Sequence, residues 1–97
     1  MHRVVVSEAA ENEFRESLEW YFEQDPGVAA SFADAVRSAF SSIGENPRRY
    51  PLLDDRHRSL LLGHYPFRIV YRSSGAANCL VVAIAHTSRR PGYWRAR

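Results

Sequence analysis

The chain has 97 residues, 45% of them hydrophobic, and a formal net charge of +2. That size fits a single domain, residues 1–97, with one modest core, and the apolar content excludes a disordered chain. The longest apolar run, Cys79 to Ala85, falls far short of the roughly 20 residues a membrane helix needs, and Val4 to Val6 is too short for a secretory signal.

Arg3 to Val6 reads as a short strand from its β-branched residues. Ser7 is placed to cap a first helix, with Glu8 in the first turn where the helix dipole favours an anion. Ala10, Phe14, Leu18, Tyr21 and Phe22 recur at the spacing of one helical face, while Glu11, Arg15 and Glu19 lie opposite. Gln24-Asp25-Pro26-Gly27 breaks that helix; Asp25 caps the next, and Pro26 sits at its first position, where a missing N–H is harmless. Ala29, Phe32, Val36, Phe40 and Ile43 form the inner face of the second helix, with Gly44 as its stop and Pro47 just beyond. So short a link predicts an antiparallel helical hairpin.

Residues 45–57 read as a loop carrying Pro47, Pro51, Asp54 and Asp55. Three strands follow, Arg58 to Leu62, Phe67 to Arg72 and Cys79 to His86. In the middle one Phe67, Ile69 and Tyr71 face the core while Arg68, Val70 and Arg72 point away. The last is almost wholly apolar, the mark of a central strand. The expected architecture is α+β in the order β-α-α-β-β-β: an N-terminal strand, a two-helix hairpin and a three-stranded antiparallel meander. The helices pack on one face of an antiparallel sheet.

Charge divides along the chain. Residues 1–45 carry three arginines against nine acids, and residues 46–97 carry ten arginines against Asp54 and Asp55. The second half therefore suits an anionic or acidic partner. No lysine is present, so no mechanism can depend on one. Cys79, the lone cysteine, cannot form an internal disulfide, which suits a reducing, cytoplasmic setting. His2, His57, His64 and His86 lack metal-ligand spacing, so neither metal nor other cofactor is expected.

Several strings, in order, resemble the RelE/ParE superfamily of type II toxin–antitoxin systems. Ser7-Glu8-Ala9-Ala10 opens an acidic helix ending in Trp20-Tyr21-Phe22, and Ile43-Gly44-Glu45-Asn46-Pro47 closes the second. Tyr65-Pro66-Phe67-Arg68-Ile69-Val70-Tyr71-Arg72 and Val82-Ala83-Ile84-Ala85-His86 follow, then Arg89-Arg90-Pro91 and Tyr93-Trp94. The resemblance implies a growth-inhibiting toxin encoded beside an antitoxin, of the kind associated with plasmid stabilization. One branch of the superfamily, ParE-like, inhibits DNA gyrase by protein binding. The other, RelE-like, cleaves messenger RNA on the ribosome without a metal. A non-toxic binding module of the same fold is a third possibility.

The branches ask for different residues. A nuclease needs a base, an acid and cations around the phosphate. The candidates are Arg68, His86, Arg89 and Tyr93, but no carboxylate occurs between Arg56 and Arg97. That absence, with the lack of lysine, favours the gyrase branch. Its binding surface would be Arg68, Arg72, Arg89, Arg90, Tyr93, Trp94, Arg95 and Arg97, arginines and aromatics being the residues that dominate protein interfaces. Trp20, Tyr21 and Phe22 are consecutive on a helix and cannot all face one core, so they are the expected antitoxin contact. The basic second half suggests an acidic, amphipathic antitoxin segment that folds as it binds, giving a toxin–antitoxin hetero-oligomer.

Overall fold

The computed structural model describes all 97 residues. Its elements are β1 (Arg3–Val6), α1 (Glu8–Gln24), α2 (Pro26–Glu45), β2 (His57–Leu61), β3 (Phe67–Ser73) and β4 (Asn78–His86). Ser7 Oγ accepts from the N–H of Ala10 at 3.1 Å, and Asp25 Oδ1 accepts from that of Gly27 at 2.8 Å. Both expected caps therefore form, satisfying N–H groups that a helix start leaves without partners. No helix is long and apolar enough to cross a membrane.

Gly44 does not stop α2, which runs on to Glu45 and closes on Asn46. Its role is close packing instead. The N–H of His2 donates to the Gly44 carbonyl at 2.8 Å, and a side-chain carbon at Gly44 would lie 2.9 Å from the His2 carbonyl oxygen. The hairpin meets β1 backbone to backbone at this point.

The sheet order is β1-β4-β3-β2. The meander β2-β3-β4 is antiparallel as expected, but β1 runs parallel to β4, so the sheet is mixed rather than purely antiparallel. Spacing cannot show this, because the partner of β1 is chosen by tertiary packing after the whole chain has returned. The central position expected for the last strand is correct.

One face of the sheet carries Ile69, Tyr71, Val81 and Ile84 against Phe32, Val36 and Ile43 of α2 and Ala10 of α1. The other carries Val70, Val82, Ala83 and Ala85 beneath Trp94. A bulge divides them: Val70 pairs with Ala83 and Tyr71 with Val81, leaving Val82 without an opposite residue. Such an extra residue shifts the alternation of a strand by one, which is why Val82 and Ala83 both lie on the Trp94 face. Residues 87–97, though without regular structure beyond turns, are thus a structural lid on the sheet face opposite the helices.

Candidate functional site

β1 ends at Val6, opposite Val81, so the remainder of β4 lacks a strand on that side. Glu13 of α1 takes its place. One carboxylate oxygen accepts from the N–H of Ile84 at 3.1 Å and from Arg97 at 2.9 Å. The other accepts from the Tyr93 hydroxyl at 2.5 Å and lies 3.8 Å from Arg89. Arg97 also donates to the Val82 carbonyl at 3.1 Å. Burial, and then the hydrogen bond to Glu13, push the Tyr93 hydroxyl well above the ordinary tyrosine range, so it stays a protonated donor. Sequence reading missed Glu13, since it lies some 70 residues from β4 and looks like any solvent-facing helical glutamate.

A second anchor fixes the other side of the lid. Trp94 is buried and its ring centroid lies 4.7 Å from that of His57, itself buried. Asp54 holds this corner: it accepts from the N–H groups of Arg56 and His57 and from His57 Nδ1 at 3.0 Å, and Arg95 Nε lies 3.5 Å away. Those backbone donors, with the ring of His57, lower the Asp54 carboxyl to about 2 against partial burial, which opposes them.

Between the anchors lies an open cleft of about 320 Å³ rimmed by Arg68, His86, Arg89, Arg90 and Arg95. The Nε of Arg68 is buried there without a partner. Arg89 stacks over the Tyr93 ring at 4.0 Å, and Arg95 lies 5.6 Å from the centre of the Trp94 ring. His86 Nδ1 is engaged by the backbone N–H and the hydroxyl of Ser88, at 3.1 and 2.7 Å.

The structure brings together only some of the residues expected on the arginine surface. Arg68, Arg89, Arg90 and Arg95 come together around one cleft. Arg72 does not join them and lines a separate cleft at the other end of the sheet, because four residues of strand carry it ~13 Å away. Arg97 is occupied with Glu13 and Val82. Trp94 is interior and Tyr93 half-buried, so both shape the surface from below rather than forming it.

The aromatic run on α1 also divides. Tyr21 turns inward, 4.9 Å from the Phe32 ring and 6.4 Å from that of Phe67. Trp20 and Phe22 remain 58% and 60% exposed. Trp20 borders an apolar cleft of about 500 Å³ between α1 and the Pro66–Phe67 turn. Glu16, Glu19 and Glu23 surround these two rings, so the local field is negative, opposite to that of the arginine cleft. No group of three or more His, Cys, Asp or Glu side chains is placed to hold a metal ion.

Known proteins resemble this chain at the level of family and fold. Residues 4–91 match the family described as ParE toxin of type II toxin-antitoxin system, parDE. No curated protein matches in sequence. A solved structure titled "Chromosomal ParDE TA system from P. aeruginosa" shares the fold at a TM-score of 0.76 with 16% identity, covering 89% of this chain and 96% of that one. With the family match spanning most of its length, this chain belongs to the ParE toxins of type II toxin–antitoxin systems.

Proposed function

We propose that this toxin acts by protein binding, with DNA gyrase as its target, and that an antitoxin segment held along α1 keeps it inactive. One observation carries the choice of binding over chemistry. Of the two side chains at the arginine cleft that could move a proton, Tyr93 is committed to Glu13 and stays protonated, and Nδ1 of His86 is taken up by Ser88. A group already donating to a carboxylate, with a strongly raised pKa, is a poor general base. What stays available is Arg68, Arg89, Arg90 and Arg95 around an open cleft, a rim suited to an anionic protein surface.

The antitoxin contact is read from Trp20 and Phe22, exposed aromatics of the kind that anchor partners. Their acidic surroundings reverse the expectation of an acidic partner: a segment covering them needs apolar residues flanked by arginine or lysine. A gyrase target requires a cytoplasmic setting, with which the free, buried Cys79 is compatible.

The RelE-like reading gains one specific support. Glu13 brings to Arg89 and Tyr93 the carboxylate that the strand sequences lack. Induction of the chain in growing cells, without antitoxin, separates the readings. Growth arrest with DNA damage signalling and intact messages is expected. Rapid cleavage of translated messages would instead establish the nuclease, and undiminished growth the non-toxic module.

A further inference from the structure

The second arginine cleft lies at the end of the sheet away from Arg68 and has no part in the reading above. It encloses about 490 Å³ and gathers Arg48, Arg56, Arg58 and Arg72 from the loop after α2, the loop before β2, β2 itself and β3. Asp55 is the single carboxylate that lines it. Arg48 and Arg56 are exposed and bond only through their backbones, so both guanidinium groups are free. Arg58 is braced by the Tyr50 carbonyl at 2.7 Å, a fixed donor rather than a swinging one. The Nε of Arg72 and Nδ1 of His2 are buried without partners, and both residues line the same space. The Nε of Arg72 always carries a proton; a buried N–H that lacks an acceptor is costly, and an anionic oxygen would satisfy it.

The lining discriminates between kinds of anion carrier. A protein partner seats aromatic or apolar anchors in pockets, but the only large exposed apolar side chain here is Leu52. Single-stranded nucleic acid stacks its bases on open rings. Tyr71, the one tyrosine of the lining, is 1% exposed, with its hydroxyl donating to the Pro47 carbonyl at 2.6 Å. Burial pushes that hydroxyl up to about 12. What remains is a set of fixed and free guanidinium donors, which suits phosphate oxygens that need no stacking and no anchor. We propose that this cleft binds the phosphodiester backbone of double-stranded nucleic acid, without reading its bases.

Fluorescence anisotropy with a labelled random-sequence duplex of about 20 base pairs tests this on the purified chain. Each phosphate contact contributes about −0.9 to the slope of log affinity against log salt between 50 and 200 mM. The pair Arg48→Ala and Arg56→Ala should weaken binding tenfold or more and flatten that slope by about two. The charge-matched pair Arg15→Ala and Arg37→Ala, on the helical hairpin, should change affinity less than threefold. Should the alanine pair lose its native circular dichroism, Arg48→Gln with Arg56→Gln replaces it with the same expectation. Equal losses in the two pairs, or no binding of the duplex at 50 mM salt, overturn the proposal. So does poly-glutamate that competes as well as the duplex at equal charge, since the cleft would then be an acidic-peptide surface.

Discussion

Glu13 shows how one side chain can fold a segment that has no regular structure. Its two oxygens serve a strand N–H, a tyrosine hydroxyl and two guanidinium groups, and thereby tie residues 89–97 to β4. Half-exposed Arg89 adds little, as surface ion pairs do, so the weight falls on Tyr93, Ile84 and Arg97. Replacing Glu13 by Gln should cost about 2 kcal/mol, and Tyr93 by Phe about 1 kcal/mol. The double variant should fall short of their sum by at least ~0.5 kcal/mol, because both remove one shared bond. Urea unfolding measures all three; strict additivity would mean that the pair is not coupled. Asp54 makes a prediction in pH. Its carboxyl is lowered from 3.8 to about 2 in the folded chain, so it stabilises the fold above its unfolded value. That contribution is lost as pH falls from about 4 towards 2. Asp54→Asn should therefore flatten the acid limb of the stability curve in that window, read by thermal melts. An unchanged limb would assign the acid sensitivity to other carboxylates.

Among the elements, α2 and β1 meet at a glycine whose helical preference misleads. In an isolated helix Gly→Ala gains about 1 kcal/mol. At Gly44 the added carbon would press on the His2 carbonyl oxygen at 2.9 Å, so the sign should reverse to a loss of about 1–3 kcal/mol from overpacking. A denaturant midpoint that rises on Gly44→Ala would show that β1 yields freely. β4 is the element on which the rest depends. It is paired on both sides only as far as Val81, and its bulge at Val82 turns two consecutive side chains towards the lid. A strict alternation along β4 would have left Val82 or Ala83 among the helices, and Trp94 with less to cover.

For the molecule as a whole, the charge division of the sequence becomes a division in space. The acidic half forms the helical hairpin with Trp20 and Phe22 exposed on it. Eight of the ten arginines of the second half collect in two clefts at opposite ends of the sheet, four in each. The hairpin and the clefts thus offer fields of opposite sign, which favours separate partners for them over one continuous footprint. Trp20→Ala with Phe22→Ala should leave the thermal midpoint nearly unchanged, since neither ring is buried. It should weaken an antitoxin complex by at least ~2 kcal/mol, about thirtyfold, by calorimetry. Unaltered affinity would move the antitoxin off α1.

Local order was determined by the sequence alone: both helix caps, the faces of α1 and α2, the three strands of the meander and the central place of β4. Each of these follows from residues within a few positions of one another, through propensity, spacing and side-chain hydrogen bonds to the nearby backbone. Phe22, expected on the inner face of α1, is the exception, since it lies at the end of the helix beyond the core and stays exposed. Tertiary structure alone decided the parallel pairing of β1, the packing role of Gly44, the burial of Trp94 and the parting of Arg72 from Arg68. It alone brought Glu13 to β4. These depend on groups dozens of residues apart, whose meeting is set by how the hairpin and the lid close over the two faces of one sheet, and no local pattern encodes that distance.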